Sequence, residues 1–154
     1  MSYFDRADWH YLGQAFPQNA PQENGATHIG MYLAWIINNG LVGEFHLEES
    51  KNSLEVLKRR QITGRDFLIK ECDSKLSEED VNEQGLNFTN FYYRGIIEGA
   101  SLFLYDYAEM FIKEPMSFYD VGDTWANYDK ISPVIEERFK SWKAVKKIYD
   151  QQKS

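Results

Sequence analysis

A chain of 154 residues that is 43% hydrophobic, 16% aromatic and 27% charged has the makings of one globular domain with a full apolar core. That balance excludes a disordered or low-complexity chain. A net charge of −7 works against nucleic-acid binding, which draws much of its affinity from Lys and Arg neutralising phosphates.

Residues 1–24 join an aromatic cluster (Trp9, His10, Tyr11, Phe16) to a stretch of prolines and amides between Pro17 and Gly25, and they read as an arm over the body. Residues 25–42, GATHIGMYLAWIINNGLV, carry no formal charge and are apolar round nearly the whole circumference from Ile29 to Ile37. With Thr27 as cap and Asn38-Asn39-Gly40 as stop, they predict a buried central helix. Residues 47–60 predict a solvated amphipathic helix, with Leu54 and Leu57 inward and Glu48, Glu49, Lys51, Glu55 and Lys58 outward.

A capping box from Thr63 to Asp66 opens a short helix with Phe67, Leu68 and Cys72 facing in. Ser77 caps a further helix whose first turn holds Glu78, Glu79 and Asp80, where the helix dipole favours negative charge. Residues 101–113 predict a helix ended by Pro115, and 115–130 a connector carrying Trp125 and Tyr128. Ser132 and Pro133 then open the C-terminal helix, 132–150, with Ile135, Phe139, Trp142, Val145 and Tyr149 as its apolar stripe. No alternating segment of strand length competes. The expected class is all-α: a single domain, 1–154, built as a compact bundle of about five to seven helices around the central one.

Chemistry is harder to read. The lone cysteine, Cys72, rules out an internal disulfide, and on an apolar helical face it reads as a core thiol. The N-terminus lacks a secretory pattern and no apolar run reaches the ~18 to 20 residues of a bilayer span, so the expected setting is the cytoplasm without membrane contact. His10, His28 and His46 form no paired ligand spacing, and the expectation is no metal and no cofactor. His28, in the first turn of the central helix, is placed to bond the arm. The acids from Asp73 to Glu83 fail the calcium-loop pattern because Lys75 takes the third position. The glycines do not form a phosphate loop.

Several blocks resemble a family of small bacterial proteins known by a domain of unknown function: DWHYLGQAFP (8–17), GATHIGMYLAWIINNGLV (25–42), ITGRDFL (62–68), CDSKLSEEDVNEQG (72–85), YAEMF (107–111) and DTWANYDKISPVIEERFKSWK (123–143). The resemblance carries no catalytic residues. It implies at most a role of the kind held by small acidic immunity proteins that neutralise toxins.

Residues 131–154 hold six Lys/Arg against three Asp/Glu, which leaves the body acidic and the tail basic. An acidic body steers cationic partners. The leading expectation is therefore a non-enzymatic protein-binding module, of immunity or antitoxin type, meeting a cationic toxin through Asp73, Glu78, Glu79, Asp80 and Glu83. The alternative is a small-molecule binder or small enzyme with an aromatic pocket between arm and central helix, lined by Trp9, His10, His28, Trp35 and Trp125.

Overall fold

The computed structural model describes residues 2–97, 99–114 and 116–153. The elements are β1 (Tyr3–Arg6), α1 (Ala7–Tyr11), α2 (Thr27–Asn38), α3 (Glu44–Glu49), α4 (Lys51–Lys58), α5 (Gly64–Cys72), β2 (Lys75–Ser77), α6 (Glu83–Thr89), α7 (Leu102–Phe111) and α8 (Trp125–Lys153). Short 3-10 turns at Gln22–Ala26, Glu78–Asp80 and Phe118–Asp120 and a π turn at Asn90–Arg94 link them. Among the described residues, no helix is long and apolar enough to cross a membrane.

Every residue of α2 from Thr27 to Ile37 is buried. A segment with no charge and apolar side chains all round has no face to give to water, so α4, α5, α8 and the 3-10 turn before it close around it. The tightest approach is to α5. A methyl group on Gly30 would strike the backbone of Gly64 and Arg65, and one on Gly64 would strike the Gly30 carbonyl. Rings fill the remaining space: Trp35 lies 5.6 Å from Phe88 and 5.3 Å from Phe139, and Tyr32 lies 5.0 Å from Tyr93.

The architecture is mainly helical, but it is not all-α. β1 pairs antiparallel with β2, Arg6 opposite Lys75 and Asp5 opposite Leu76, with a bulge between Tyr3 and Asp5. Strands of four and three residues leave no periodic trace for sequence reading to detect. The N-terminal segment is correspondingly more than an arm laid over the body, since Phe4, Asp5 and Ala7 are buried.

Helix boundaries also move. The helix expected over 47–60 is two, α3 and α4, broken at Ser50, whose side chain bonds His46 and Glu71 instead of leaving the helix undisturbed. Ala26, not Thr27, is the N-cap of α2, and the Thr27 hydroxyl accepts from Arg65. Ser77 precedes only a 3-10 turn, and α6 starts later under an Asn82 cap. The helix expected over 101–113 ends at Phe111, and Pro115 lies outside the described residues.

The C-terminal helix opens at Trp125 rather than Ser132. Thr124 caps it by accepting from the Asn127 amide, and Pro133 sits inside. Burial of Tyr128 and Ile131 draws the earlier turns onto the core and offsets the bond that Pro133 cannot make. Its apolar stripe is core only as far as Trp142, because Val145 and Tyr149 are exposed. Arg138 holds α8 to α7 through two bonds of 2.9 Å to Asp106, which also accepts from Tyr92 at 2.7 Å.

Two outcomes follow from this packing. Gly64→Ala should lower stability by about 1–3 kcal/mol, measured by urea unfolding, because the added methyl forces α2 and α5 apart. The phenols of Tyr32, Tyr92 and Tyr107 are raised from an ordinary 10.0, chiefly by burial. The unfolded chain therefore loses these protons first, so the stability they carry is whole below pH 10 and is lost as pH rises beyond it. Phenolate absorbance should show these three ionising only together with loss of helical circular dichroism.

Candidate functional site

β1, α1 and α2 bring three polar side chains to one point. The bulge in β1 lets consecutive residues, Phe4 and Asp5, both sit inside. α1 packs on the turn preceding α2, with Gly25 against the Ala7 carbonyl and the His10 Cβ, which carries His10 to the first turn of α2 and so to His28.

Asp5 Oδ1 lies 2.7 Å from His10 Nε2, and Asp5 Oδ2 lies 3.0 Å from His28 Nε2. The two Nε2 atoms are 3.2 Å apart and the rings meet edge-on at 4.4 Å. Asp5 also accepts from the Arg6 amide at 2.8 Å and from the Tyr93 hydroxyl at 2.5 Å. The Tyr119 hydroxyl lies 2.7 Å from His10 Nδ1.

Burial alone would raise the Asp5 carboxyl, but hydrogen bonds and charge from His10 and His28 outweigh it and hold the group well below the usual carboxylate range. Burial lowers His28 against the opposing pull of Asp5. Both shifts favour a carboxylate facing an uncharged His28. Burial, then the adjacent Asp5 charge, pushes the Tyr93 phenol up, so it stays a donor.

His10 and Asp5 form part of the wall of a cleft of about 630 Å³ shared with Tyr3, Trp9, Tyr93 and Arg94. His28 stands behind them, 1% exposed. Of the five residues expected to line one aromatic pocket, Trp9, His10 and His28 meet here, and Trp35 and Trp125 do not. Trp35 follows His28 by about two helical turns, roughly 10 Å along the axis, and is wholly enclosed by core rings. Trp125 starts α8 with the Arg60 guanidinium over its ring at 4.7 Å.

The acidic face is also altered. Asp73, Glu78, Glu79 and Glu83 are exposed, whereas Asp80 is 5% exposed and turned inward. It accepts from the Ser77 amide at 2.7 Å and lies 2.7 Å from His46 Nε2. Cys72 joins this second group, its Sγ 3.6 Å from His46 Nε2 and 3.4 Å from Asp80 Oδ1. Burial, and then the Asp80 carboxylate, pushes the thiol far up, the opposite of what a nucleophilic cysteine needs. Asp123 is occupied by Thr63 at 2.7 Å and Arg65 at 3.2 Å.

Sequence reading missed Asp5, Tyr93 and Tyr119 in the first group and the roles of Asp80, Ser50 and Glu71 in the second. The acids and Ser50 look like surface residues, and the two tyrosines like ordinary core rings, until distant segments are folded together.

A family model described as "Domain of unknown function (DUF7832)" matches residues 3–121. The chain belongs to this family. Neither curated proteins nor solved structures yield a match. The DUF7832 span contains every residue of both groups and stops before α8, although α8 supplies Ile131, Ile135 and Phe139 to the core.

Asp5→Asn tests how far the fold leans on the first group. An amide there turns one accepting oxygen into a donor facing donors, and stability should fall by about 3 kcal/mol, read as a lowered Tm.

Proposed function

We propose that this protein binds a small oxyanionic molecule through a divalent transition-metal ion held by Asp5, His10 and His28 in the wall of the cleft. The supporting observation is the convergence of three ligand atoms from three elements on one point. Two imidazoles with one carboxylate suit iron, manganese or zinc and leave coordination positions open. With bonds of about 2.1 Å, two nitrogens on such an ion lie about 3.0–3.4 Å apart, and His10 and His28 stand at 3.2 Å.

Tyr119 suits the second role a metal site needs. A metal bond at His10 Nε2 displaces hydrogen to Nδ1, where the Tyr119 oxygen accepts it and fixes the ring. Arg94 lines the same cleft and adds positive charge for a carboxylate or phosphate ligand. Imidazole ¹⁵N NMR during zinc addition tests the assignment. His10 and His28 Nε2 resonances should shift together and saturate at one ion for the pair; resonances unmoved by excess zinc would refute it.

A second reading keeps the acidic surface as a protein-docking face. It is favoured by Phe45, 50% exposed in a groove shared with Asp73 and Glu79, an exposed ring among carboxylates. A cationic partner such as a toxin would then bind more weakly as salt rises.

A further inference from the structure

We propose a second metal site, a zinc site made by His46, Cys72 and Asp80, separate from the Asp5 group. The three side chains come from α3, the end of α5 and the turn after β2, and their ligand atoms converge on one point.

Hydrogen-bond accounting shows how this point can take a cation. Ser50 has one hydroxyl hydrogen, which it donates to Glu71 at 3.2 Å, so toward His46 Nδ1, 2.9 Å away, it can only accept. Nδ1 therefore carries the hydrogen and Nε2 presents its lone pair to the Asp80 carboxylate and the Cys72 sulfur. The thiol hydrogen that Cys72 directs at Asp80 is the proton among these three atoms, and a metal ion can take its place. A catalytic relay is a poor fit, because its carboxylate would occupy the nitrogen opposite the sulfur, whereas here both partners share Nε2.

The spacing selects the metal. Around tetrahedral zinc, with bonds of about 2.0–2.1 Å to nitrogen or oxygen and about 2.3 Å to sulfur, sulfur lies about 3.5–3.6 Å from its fellow ligands. Cys72 Sγ already stands at 3.6 Å from the nitrogen and 3.4 Å from the oxygen. Only the nitrogen–oxygen pair, at 2.7 Å, has to open, by about 0.6 Å.

Outer contacts are those of a built site. Glu71, held by Ser53 at 2.7 Å, orients Ser50 and through it the imidazole, while Ser77 fixes the other Asp80 oxygen. A groove of about 380 Å³ reaches Cys72 and Asp80, giving an entry path and room for a water as fourth ligand. On binding, Cys72 releases its thiol proton to solvent and coordinates as thiolate, with no change of oxidation state.

Cobalt(II) titration of the whole reduced chain tests this. Cys72 is the only cysteine, so a thiolate-to-cobalt charge-transfer band in the near ultraviolet reports this site and is silent on the Asp5 group. The band should saturate at one cobalt per chain, vanish on zinc addition and be absent in Cys72→Ser, a small change that keeps the fold by circular dichroism. His46→Gln should weaken cobalt binding by roughly 100-fold. No band at excess cobalt, or a band of unaltered affinity in a folded His46→Gln variant, would overturn the proposal. Histidine shifts at His10 and His28 without this band would leave the Asp5 site standing and remove this one.

Discussion

Complete burial of a helix that carries chemistry as well as apolar bulk is the constraint that orders this molecule. α2 is enclosed from Thr27 to Ile37, so its polar side chains depend on partners within the protein, and the Trp35 indole nitrogen goes without a hydrogen bond. Thr27 is answered by Arg65 of α5, His28 by Asp5 of β1, and Tyr32 by Thr89 of α6 at 2.8 Å. Just past the buried stretch, Asn38 donates to Tyr128 of α8 at 3.1 Å. These partners come from four elements, and they fix the rotation and depth of α2 in a way that non-directional apolar packing does not.

The cost of enclosing His28 is passed to Asp5. A carboxylate taken from water needs several polar partners, and Asp5 has four. Supplying them requires β1, α1, the π turn and α2 to meet. The small sheet then links this group to the other, because Tyr3 pairs with Ser77, and Ser77 both ends β2 and donates to Asp80. Two strands of seven residues in all thus place one carboxylate in each cluster.

What sequence reveals and conceals follows the range of the interactions. α2 was legible because its signal is local: eighteen consecutive residues without charge leave few places to put a helix. The Thr63–Asp66 capping box was legible for the same reason and is present. The break at Ser50 was not, since it depends on His46 and on Glu71, twenty-one residues away. At Ser132-Pro133 a sound local rule lost to a tertiary one, as the Thr124 cap and the burial of Ile131 extend the helix back through the proline. Asp5 and Asp80 were concealed most fully. An acid next to another charged residue, Arg6 or Glu79, reads as solvent-facing, and contacts with His10, His28 and His46 help draw these two in.

With an ion bound, the charges of the two clusters would separate their roles. Asp5 with two neutral imidazoles carries −1, so a divalent ion there would leave a net +1 beside a cleft that already holds Arg94. Such a centre attracts an anion into its open positions, which is the behaviour of a ligand-binding site. Asp80 with a Cys72 thiolate and a neutral imidazole carries −2, and a divalent ion would bring it to zero. A neutral, largely buried centre has little pull on charged molecules and much more effect on the segments it joins, here α3, α5 and the turn after β2. The same metal chemistry would thus serve binding at one end of the small sheet and cohesion at the other, with the exposed carboxylates of Asp73, Glu78, Glu79 and Glu83 setting the outer field in which an incoming cation first feels the protein.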